Sequence, residues 1–521
     1  GTKVLTATVD VDNTLTIKRG AILNAGTYAI TGTGGLTMEE NSEYLMQRSA
    51  AGVYPELAGN YNLAYGTITI NQTANVTTLA SAIYNNVKLT GTQPCDLSGV
   101  EVINGSLMIQ NGASVVNNRP MFIDGELVLS STAVSELASD IVVGGINITA
   151  GGLNDGARTI TINNGSWLNN GGVTTLTGLV VFKGNTAQTI GGSQATSFYN
   201  LAMRNPAGIS LNVSPAVPTV IKNDLLLDSG VIYTTALNIL KLTDTATCSM
   251  GNALSYMDGP MVKVGSSDFV FPIGKGGKWR RAGVSSMQNN NTEVTAEYFA
   301  NSYGDIESMD DNLSVVSNME YWDIHRSVTN DSLKLTLYWE DAALSTVHSC
   351  ENLTIAHYKN GVWSEEAAVA NSSSMCEGAG AGSITTTGYV TSFSPFGFGD
   401  NGSGNALPVE LLSFTADVVE ADVDVKWATA LEINNSHFEV ERSADGINFE
   451  KIGEVEGAGN STKTLTYSLL DKQPLQGISY YRLKQVDYDG AFEYSPIVSV
   501  NMAGPKATVS MYPNPARSNV T

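Results

Sequence analysis

Short strand-like runs recur at nearly constant spacing in the first half of the chain, and this repeat constrains the fold more than any other feature. Units at Gly105, Gly125 and Gly145 start 20 residues apart, and each opens a run of alternating apolar residues. A repeat of about 20 to 50 residues with one strand per unit is typical of a solenoid. We therefore predict that residues 1–250 form a right-handed parallel β-helix-like solenoid, with a multi-strand sandwich as the alternative.

The turns between these runs are rich in Gly and Asn, which tolerate the positive φ angles of tight turns. Gly accounts for 52 of the 521 residues, and only 15% of residues are charged. Long helical periodicity is nearly absent, so the chain is predicted to be all-β. Its length exceeds that of one ordinary core and favours several domains.

Residues 39–65 interrupt the repeat. The acidic run 39–43 and the apolar residues 44–46 that follow are predicted to leave the regular coil as an excursion. Long loops on a solenoid are common places for binding. The alternative is a tolerated insertion that covers an edge of the coil.

Longer strands with more aromatic residues characterise residues 251–399. The segment Tyr321–Arg326 alternates apolar Trp322 and Ile324 with polar Asp323 and His325, which is the pattern of a half-buried strand. We predict a β-sandwich here. The Gly- and Asn-rich residues 400–406 are predicted to form a flexible linker.

A basic cluster lies within the segment 269–281 of this otherwise acidic chain. Lys275, Lys278, Arg280 and Arg281 lie close together beside three glycines. The spacing differs from the glycine-rich pattern that cradles phosphates. Two interpretations remain: a hairpin turn with solvated basic side chains, or a contact with an anion or an acidic glycan.

Residues 407–503 contain about seven short strand-like runs, which fits one immunoglobulin- or fibronectin III-like sandwich. Phe438 and Val440 alternate with glutamates, the period of a half-buried strand. Trp427 and the aromatic segment 478–483 are candidates for its core.

The C-terminal segments resemble the ends of proteins exported by the type IX secretion system of Bacteroidetes-type bacteria. The resemblance rests on Leu-Pro-Val-Glu-Leu-Leu at 407–412, on the segment 480–487 and on Tyr512, Pro513, Asn514 and Pro515. It implies that residues 504–521 are a linker and the start of a type A sorting domain, with Tyr512–Pro515 opening the export signal. It also implies that the translocon and its shuttle protein are partners, and that the protein is exported through the periplasm to the outer-membrane surface or the exterior.

Four cysteines are present. Cys350 and Cys376 are a candidate disulfide, since they lie in one region and the exterior is oxidising. Cys95 and Cys248 are far apart in sequence, and no zinc-ligand spacing occurs. Neither Asp10–Asp12 nor the carboxylates near Asp422 supply the fuller loop that calcium needs. The sequence therefore predicts no metal and no cofactor.

Composition and charge exclude several classes of partner. The net charge of −22 leaves no basic face for phosphates, so we expect no nucleic-acid partner. No apolar run approaches the roughly 18 residues of a transmembrane helix. The first residues do not form a signal peptide, so we expect a mature or internal fragment.

No catalytic set of residues stands out, and no His precedes His325. We therefore predict a non-enzymatic, adhesin-like secreted or cell-surface protein, with surface polysaccharide as a candidate partner. The alternative is an accessory or carbohydrate-binding part of a larger secreted polysaccharide-active enzyme. A third class is a hydrolase or lyase that acts through carboxylates on the solenoid. Trp167 could stack on a sugar or pack in the core.

Overall fold

The computed structural model describes residues 1–327, 331–341, 345, 347, 350–376, 380–393, 395–402, 410–461, 464–488 and 492–502. The chain divides into two compact units, Gly1–Gly402 and Ser403–Thr521. The all-β prediction is confirmed, because the described residues form strands and no helix. None of the described segments is therefore an apolar helix of membrane-spanning length.

Parallel strands stack in successive coils through the first unit, which confirms the predicted parallel solenoid. One continuous parallel ladder, the first ladder, holds Thr2–Val4, Ile22–Gly26, Glu43–Arg48, Tyr61–Gln72, Ile83–Gly91, Leu107–Gln110, Met121–Glu136, Ile141–Asn154, Trp167–Asn169, Gln188–Gly192, Ile209–Val213, Ile232–Tyr233, Met257–Asp258 and Ile273–Lys275.

A second parallel ladder shares the four longest of these strands. Its other members are Thr14–Ile17, Gly35–Met38, Val102–Ile103, Thr159–Asn163, Leu179–Lys183, Ser197–Arg204, Thr219–Ser229, Leu240–Leu242, Thr247–Cys248 and Met261–Val264. Shorter parallel strands complete the coils: Val9–Asp10, Ile30–Gly32, Glu56–Leu57, Gly52–Tyr54, Thr77–Leu79, Pro94–Asp96, Ser114–Val116 and Val173–Thr175.

The inward residues of successive coils form columns of apolar side chains. One column contains Ile68, Val87, Leu107, Leu127, Ile146 and Trp167, which pair in register along the first ladder and are buried. Full burial of an aliphatic side chain stabilises a fold by about 1.5–3 kcal/mol. Trp167 belongs to the core, because its ring is 0% exposed and its Nε1 donates to Thr196 Oγ1 at 2.9 Å.

Asn164 shows why asparagine recurs at the turns. Its φ is 64°, in the left-handed region that Asn tolerates better than most residues. Its side-chain Oδ1 accepts a hydrogen bond from the backbone N–H of Asn185 in the next coil at 2.9 Å. A single residue therefore makes the turn and ties two coils together.

The parallel pairing continues past the predicted boundary at residue 250. Ile232 pairs with Met257, and Met257 pairs with Ile273. The strand Met261–Val264 then pairs antiparallel with Glu293–Phe299, so the solenoid sheet continues into the next layer. The segments predicted as 1–250 and 251–399 are thus hydrogen-bonded parts of one compact unit.

Two antiparallel sheets follow the solenoid. The sheet continuous with it adds Lys278–Trp279, Glu293–Phe299, Val315–Val316, Tyr321–Arg326, Leu353–Lys359, Val362–Glu366 and Pro395–Asp400. The other contains Phe269–Phe271, Ala282–Ser285, Lys334–Trp339, Ala368–Ala370 and Gly382–Thr386. Aromatic rings join them: Phe398 of the first sheet packs edge-on against Trp339 of the second, with ring centroids 5.7 Å apart.

The second unit is antiparallel throughout its described residues. Its seven strands are Glu410–Val419, Asp422–Ser443, Glu450–Ser461, Leu465–Asp471, Gly477–Asp487, Phe492–Tyr494 and Val498–Met502. Trp427 lies in its core against Phe438 and Tyr467, with ring centroids 5.4 and 5.6 Å away.

Candidate functional site

Within the basic segment 269–281, residues 273–279 form a tight hairpin. Lys275 and Lys278 are paired across it, and the intervening Gly276 and Gly277 have positive φ angles of 57° and 91°. A side chain at either position would be strained in this left-handed region, which explains the two glycines. The backbone of this segment is therefore the predicted hairpin turn.

The two arginines of the basic cluster point into the protein, which corrects the predicted ligand contact at Arg280 and Arg281. Arg280 Nε lies 3.0 Å from Glu320 Oε2, and the two side chains are only 4% and 0% exposed. Arg281 pairs with Glu340 at 2.8 Å, and its guanidinium lies 4.5 Å from the ring centre of Tyr338. A buried guanidinium needs such a carboxylate partner because an unpaired buried charge is costly.

The two lysines remain at the surface of the hairpin. Lys275 Nζ lies 3.1 Å from Asp258 Oδ1 on the preceding coil. Lys278 is half-buried and has no ion pair within the described part of the chain. Only these two of the four predicted basic residues are therefore placed where a ligand could reach them.

An outward-facing group of side chains lies next to this hairpin, and we call it the carboxylate–aromatic face. It comprises Glu297 and Phe299 of one strand and Tyr321, Asp323 and His325 of the neighbouring strand. Glu297 is directly opposite Asp323, and Phe299 is directly opposite Tyr321. Residues directly opposite in an antiparallel pair have Cβ atoms about 4.5–5.5 Å apart, so these side chains are neighbours.

The aromatic half of this face is a stacked pair. The rings of Phe299 and Tyr321 are nearly parallel, at 6°, with centroids 4.6 Å apart. Tyr303 packs its edge against Tyr321 at 5.3 Å. These contacts fix the orientation of both rings, so a ligand would meet a preformed apolar surface.

Of the two carboxyl groups in the acidic half of the face, Asp323 has a basic side chain within ion-pair distance and Glu297 has none among the described residues. Asp323 Oδ1 lies 2.9 Å from His325 Nε2, and the interaction with this carboxylate raises the pKa of His325. Glu297 has no hydrogen bond or ion pair among the described residues. Burial raises the pKa of Glu297, Lys275 lowers it in part, and the negative charges of Asp323 and Asp258 raise it further.

Glu297→Gln is expected to raise the melting temperature at pH 7, with the gain shrinking toward pH 4. Because the folded-state pKa is raised, the contribution of Glu297 to stability is present at low pH and is lost as the pH rises through that pKa. Calorimetry at both pH values tests this, with exposed Glu126→Gln as the control. A gain that is absent at pH 7, or that grows toward pH 4, would contradict the account.

The predicted excursion at 39–65 is mostly part of the coil, contrary to expectation. Tyr44 and Met46 are buried and belong to the first ladder, where Tyr44 pairs with Ile68. The residues that lengthen this coil lie between the strands Glu43–Arg48 and Tyr61–Gln72. The sequence signal was misleading here because an acidic run before the strand suggested a loop.

Cys350 and Cys376 are joined by a disulfide with their Cα atoms 5.5 Å apart. Cys95 and Cys248 are free, and burial raises the pKa of the Cys95 thiol to about 12. A thiol held in its neutral form is a poor nucleophile. Cys95 therefore has a packing role rather than a reactive one.

One group on the second unit has the residue types of a metal site. Potential ligand atoms of His437, Glu439 and Glu454 lie within 4.8 Å of one another. Lys451 Nζ already pairs with both glutamates, and Lys484 Nζ lies 2.9 Å from Glu439. The lysines supply the positive charge that a metal would bring, so we assign these carboxylates to ion pairs. Tyr512, Pro513, Asn514 and Pro515 lie outside the described residues.

The fold defines a β-solenoid continued by antiparallel sheets, with a separate antiparallel second unit. No protein-family model matches the sequence, and no curated protein matches it. Among solved structures, a β-1,2-glucanase from Parabacteroides distasonis is similar over 40% of this chain and 37% of the glucanase chain. The identity is 13% and the TM-score is 0.14, and this likeness carries no argument about fold or function.

Proposed function

We propose that this chain is part of a secreted or surface-displayed, non-enzymatic protein that binds polysaccharide. The observation that supports this most is the carboxylate–aromatic face, where the Phe299–Tyr321 stack adjoins Glu297 and Asp323. Aromatic rings pack well against the C–H groups of a sugar ring, and carboxylates accept hydrogen bonds from its hydroxyls. The aromatic rings and the carboxylates lie side by side on one surface of the sheet.

Binding without cleavage fits this surface better than hydrolysis. Glycoside hydrolysis commonly uses two carboxyl groups that flank the scissile bond, one as the acid and the other as the nucleophile or base. Glu297 and Asp323 instead stand beside each other on neighbouring strands, and the side chain of His325 next to them is 57% exposed. Such an open strand surface can hold a chain of sugars while leaving their linkages in water.

The route to the surface is proposed from the resemblance of the C-terminal segments. Tyr512, Pro513, Asn514 and Pro515 would open the sorting signal, which the type IX translocon and its shuttle protein would read. The solenoid would then display the carboxylate–aromatic face outside the outer membrane. The disulfide between Cys350 and Cys376 supports an oxidising destination of this kind.

Incubation of the full chain with immobilised polysaccharides tests the proposed function. We expect retention on at least one polysaccharide with no release of soluble sugar. Released sugar would replace the binding function with an enzymatic one. Absence of retention on neutral, acidic and amino-sugar polymers alike would contradict carbohydrate binding.

A further inference from the structure

We propose a second ligand site, separate from the carboxylate–aromatic face, in a cleft between the first three coils of the solenoid, and we infer that it takes a neutral saccharide unit. We call it the three-coil cleft. It has a volume of about 360 Å³ and is lined by Arg19, Thr37, Met38, Glu39, Glu40, Asn62 and Tyr65. None of these residues belongs to the face described above.

Three successive coils contribute to this cleft because their strands are in parallel register. Thr37 pairs with Asn62 on the next coil, which sets their two polar side chains next to each other on the outer surface. Gly66 follows Tyr65 with a φ of 78°, and a Cβ there would lie 2.7 Å from the carbonyl oxygen of Ser42. The backbone therefore turns sharply next to Tyr65, whose ring is left 54% exposed.

The cleft contains charges, but each is already balanced. Arg19 Nη2 lies 3.0 Å from Glu40 Oε2. Glu39 accepts hydrogen bonds from Lys18 Nζ at 2.8 Å and from the backbone N–H of Arg19 at 2.9 Å. The hydrogen bond from Lys18 lowers the pKa of the Glu39 carboxyl.

This balance argues for a neutral ligand. An anionic sugar would approach the carboxylates of Glu39 and Glu40, and a cationic one would approach the positive charges of Lys18 and Arg19. A neutral sugar disrupts neither pair, because guanidinium N–H groups and carboxylate lone pairs that the ion pairs leave unused can bond to hydroxyls. Thr37 and Asn62 add further hydroxyl and amide partners.

The dimensions and the aromatic residue also fit a sugar. The volume is at the lower end of the roughly 300–1,000 Å³ range of small-molecule sites, so a short saccharide segment fits better than a large ligand. Tyr65 offers an exposed ring beside the polar groups, and one apolar surface with several convergent polar groups is what a sugar ring requires. Met38 lies at the base of the cleft but is only 1% exposed, so it supports the cleft from the core and leaves Tyr65 as the aromatic contact.

Calorimetric titration of the full chain with neutral and acidic oligosaccharides tests this site. The neutral probes are glucose, galactose and mannose hexaoses, and the acidic probe is a hexauronate. We expect binding of a neutral hexaose that Tyr65→Ala weakens about tenfold. Tyr389→Ala is the matched control, since Tyr389 is 52% exposed and lies outside the cleft. Raising the salt concentration should leave the affinity nearly unchanged.

Asn62→Lys provides a second variant that fills the cleft from an exposed position, and it should abolish binding of the neutral hexaose. Preference for the hexauronate, or neutral binding that neither cleft variant weakens, would overturn the proposal. Polysaccharide retention that is lost on changing Tyr321, together with hexaose binding that neither cleft variant weakens, would remove this site and leave the proposed function intact. Loss of all retention in the wild type would instead remove the proposed function, whereas hexaose binding that depends on Tyr65 would still support the cleft.

Discussion

Glu320→Ala is expected to lower the free energy of unfolding of the first unit by about 3–5 kcal/mol, the usual cost of removing one partner from a buried ion pair. Glu320 is 0% exposed in its side chain, lies 3.0 Å from Arg280 and accepts a hydrogen bond from Tyr298 Oη at 2.7 Å. Alanine would leave the Arg280 guanidinium without this carboxylate and Tyr298 without its acceptor. Denaturant unfolding of wild type and variant measures the difference.

Glu39→Ala is the matched control for that measurement. Glu39 also forms an ion pair, with Lys18, but the two side chains are 38% and 74% exposed. Exposed pairs of this kind contribute about 0–1 kcal/mol. If Glu320→Ala were as stable as Glu39→Ala, the assignment of Arg280 to an internal structural pair would be wrong, and its role as a ligand contact would be open again.

The solenoid could be predicted because its determinants are local. Leu107, Leu127 and Ile146 recur at a spacing of about one coil, and each needs only its neighbours above and below to be buried. The end of the solenoid, which lies beyond the predicted boundary at residue 250, could not be predicted in the same way. The coil length changes from 25 residues between Ile232 and Met257 to 16 between Met257 and Ile273, so the repeat fades while the pairing continues.

The carboxylate partners of Arg280 and Arg281 are distant in sequence. The sequence therefore predicted the turn and its surface lysines but not the burial of the two arginines. Glu320 lies 40 residues beyond Arg280, and nothing local to residues 269–281 indicates that a buried carboxylate will meet it. The hairpin itself could be predicted from the sequence, because two adjacent glycines, Gly276 and Gly277, indicate a turn. Lys275 and Lys278 are the surface residues that both interpretations required.

Only one of the two strands that form the carboxylate–aromatic face could be predicted from the sequence. The alternation of Trp322 and Ile324 with Asp323 and His325 predicted the strand and its outward side. Its partner Glu293–Phe299 lies more than twenty residues earlier, and the register that opposes Glu297 to Asp323 is set by the sheet. The raised pKa of Glu297 follows from that register and from burial, so no local pattern could have predicted it.

Combined replacement of Phe299 and Tyr321 by alanine is expected to weaken polysaccharide binding at least about tenfold, because it removes both stacked rings. Tyr494→Ala is the control, since Tyr494 also has an aromatic neighbour, at 5.5 Å in Phe492, but lies on the second unit. Melting temperatures of all three proteins establish that each is folded.

The dissociation constant of the retained polysaccharide, measured for these three proteins, tests the assignment of the carboxylate–aromatic face as the binding surface. If this assignment is right, wild type and Tyr494→Ala bind equally well, and the Phe299→Ala/Tyr321→Ala protein binds at least about tenfold more weakly while still folded. Equal dissociation constants for all three folded proteins would contradict it, because the polysaccharide would then be held by some other surface of the chain.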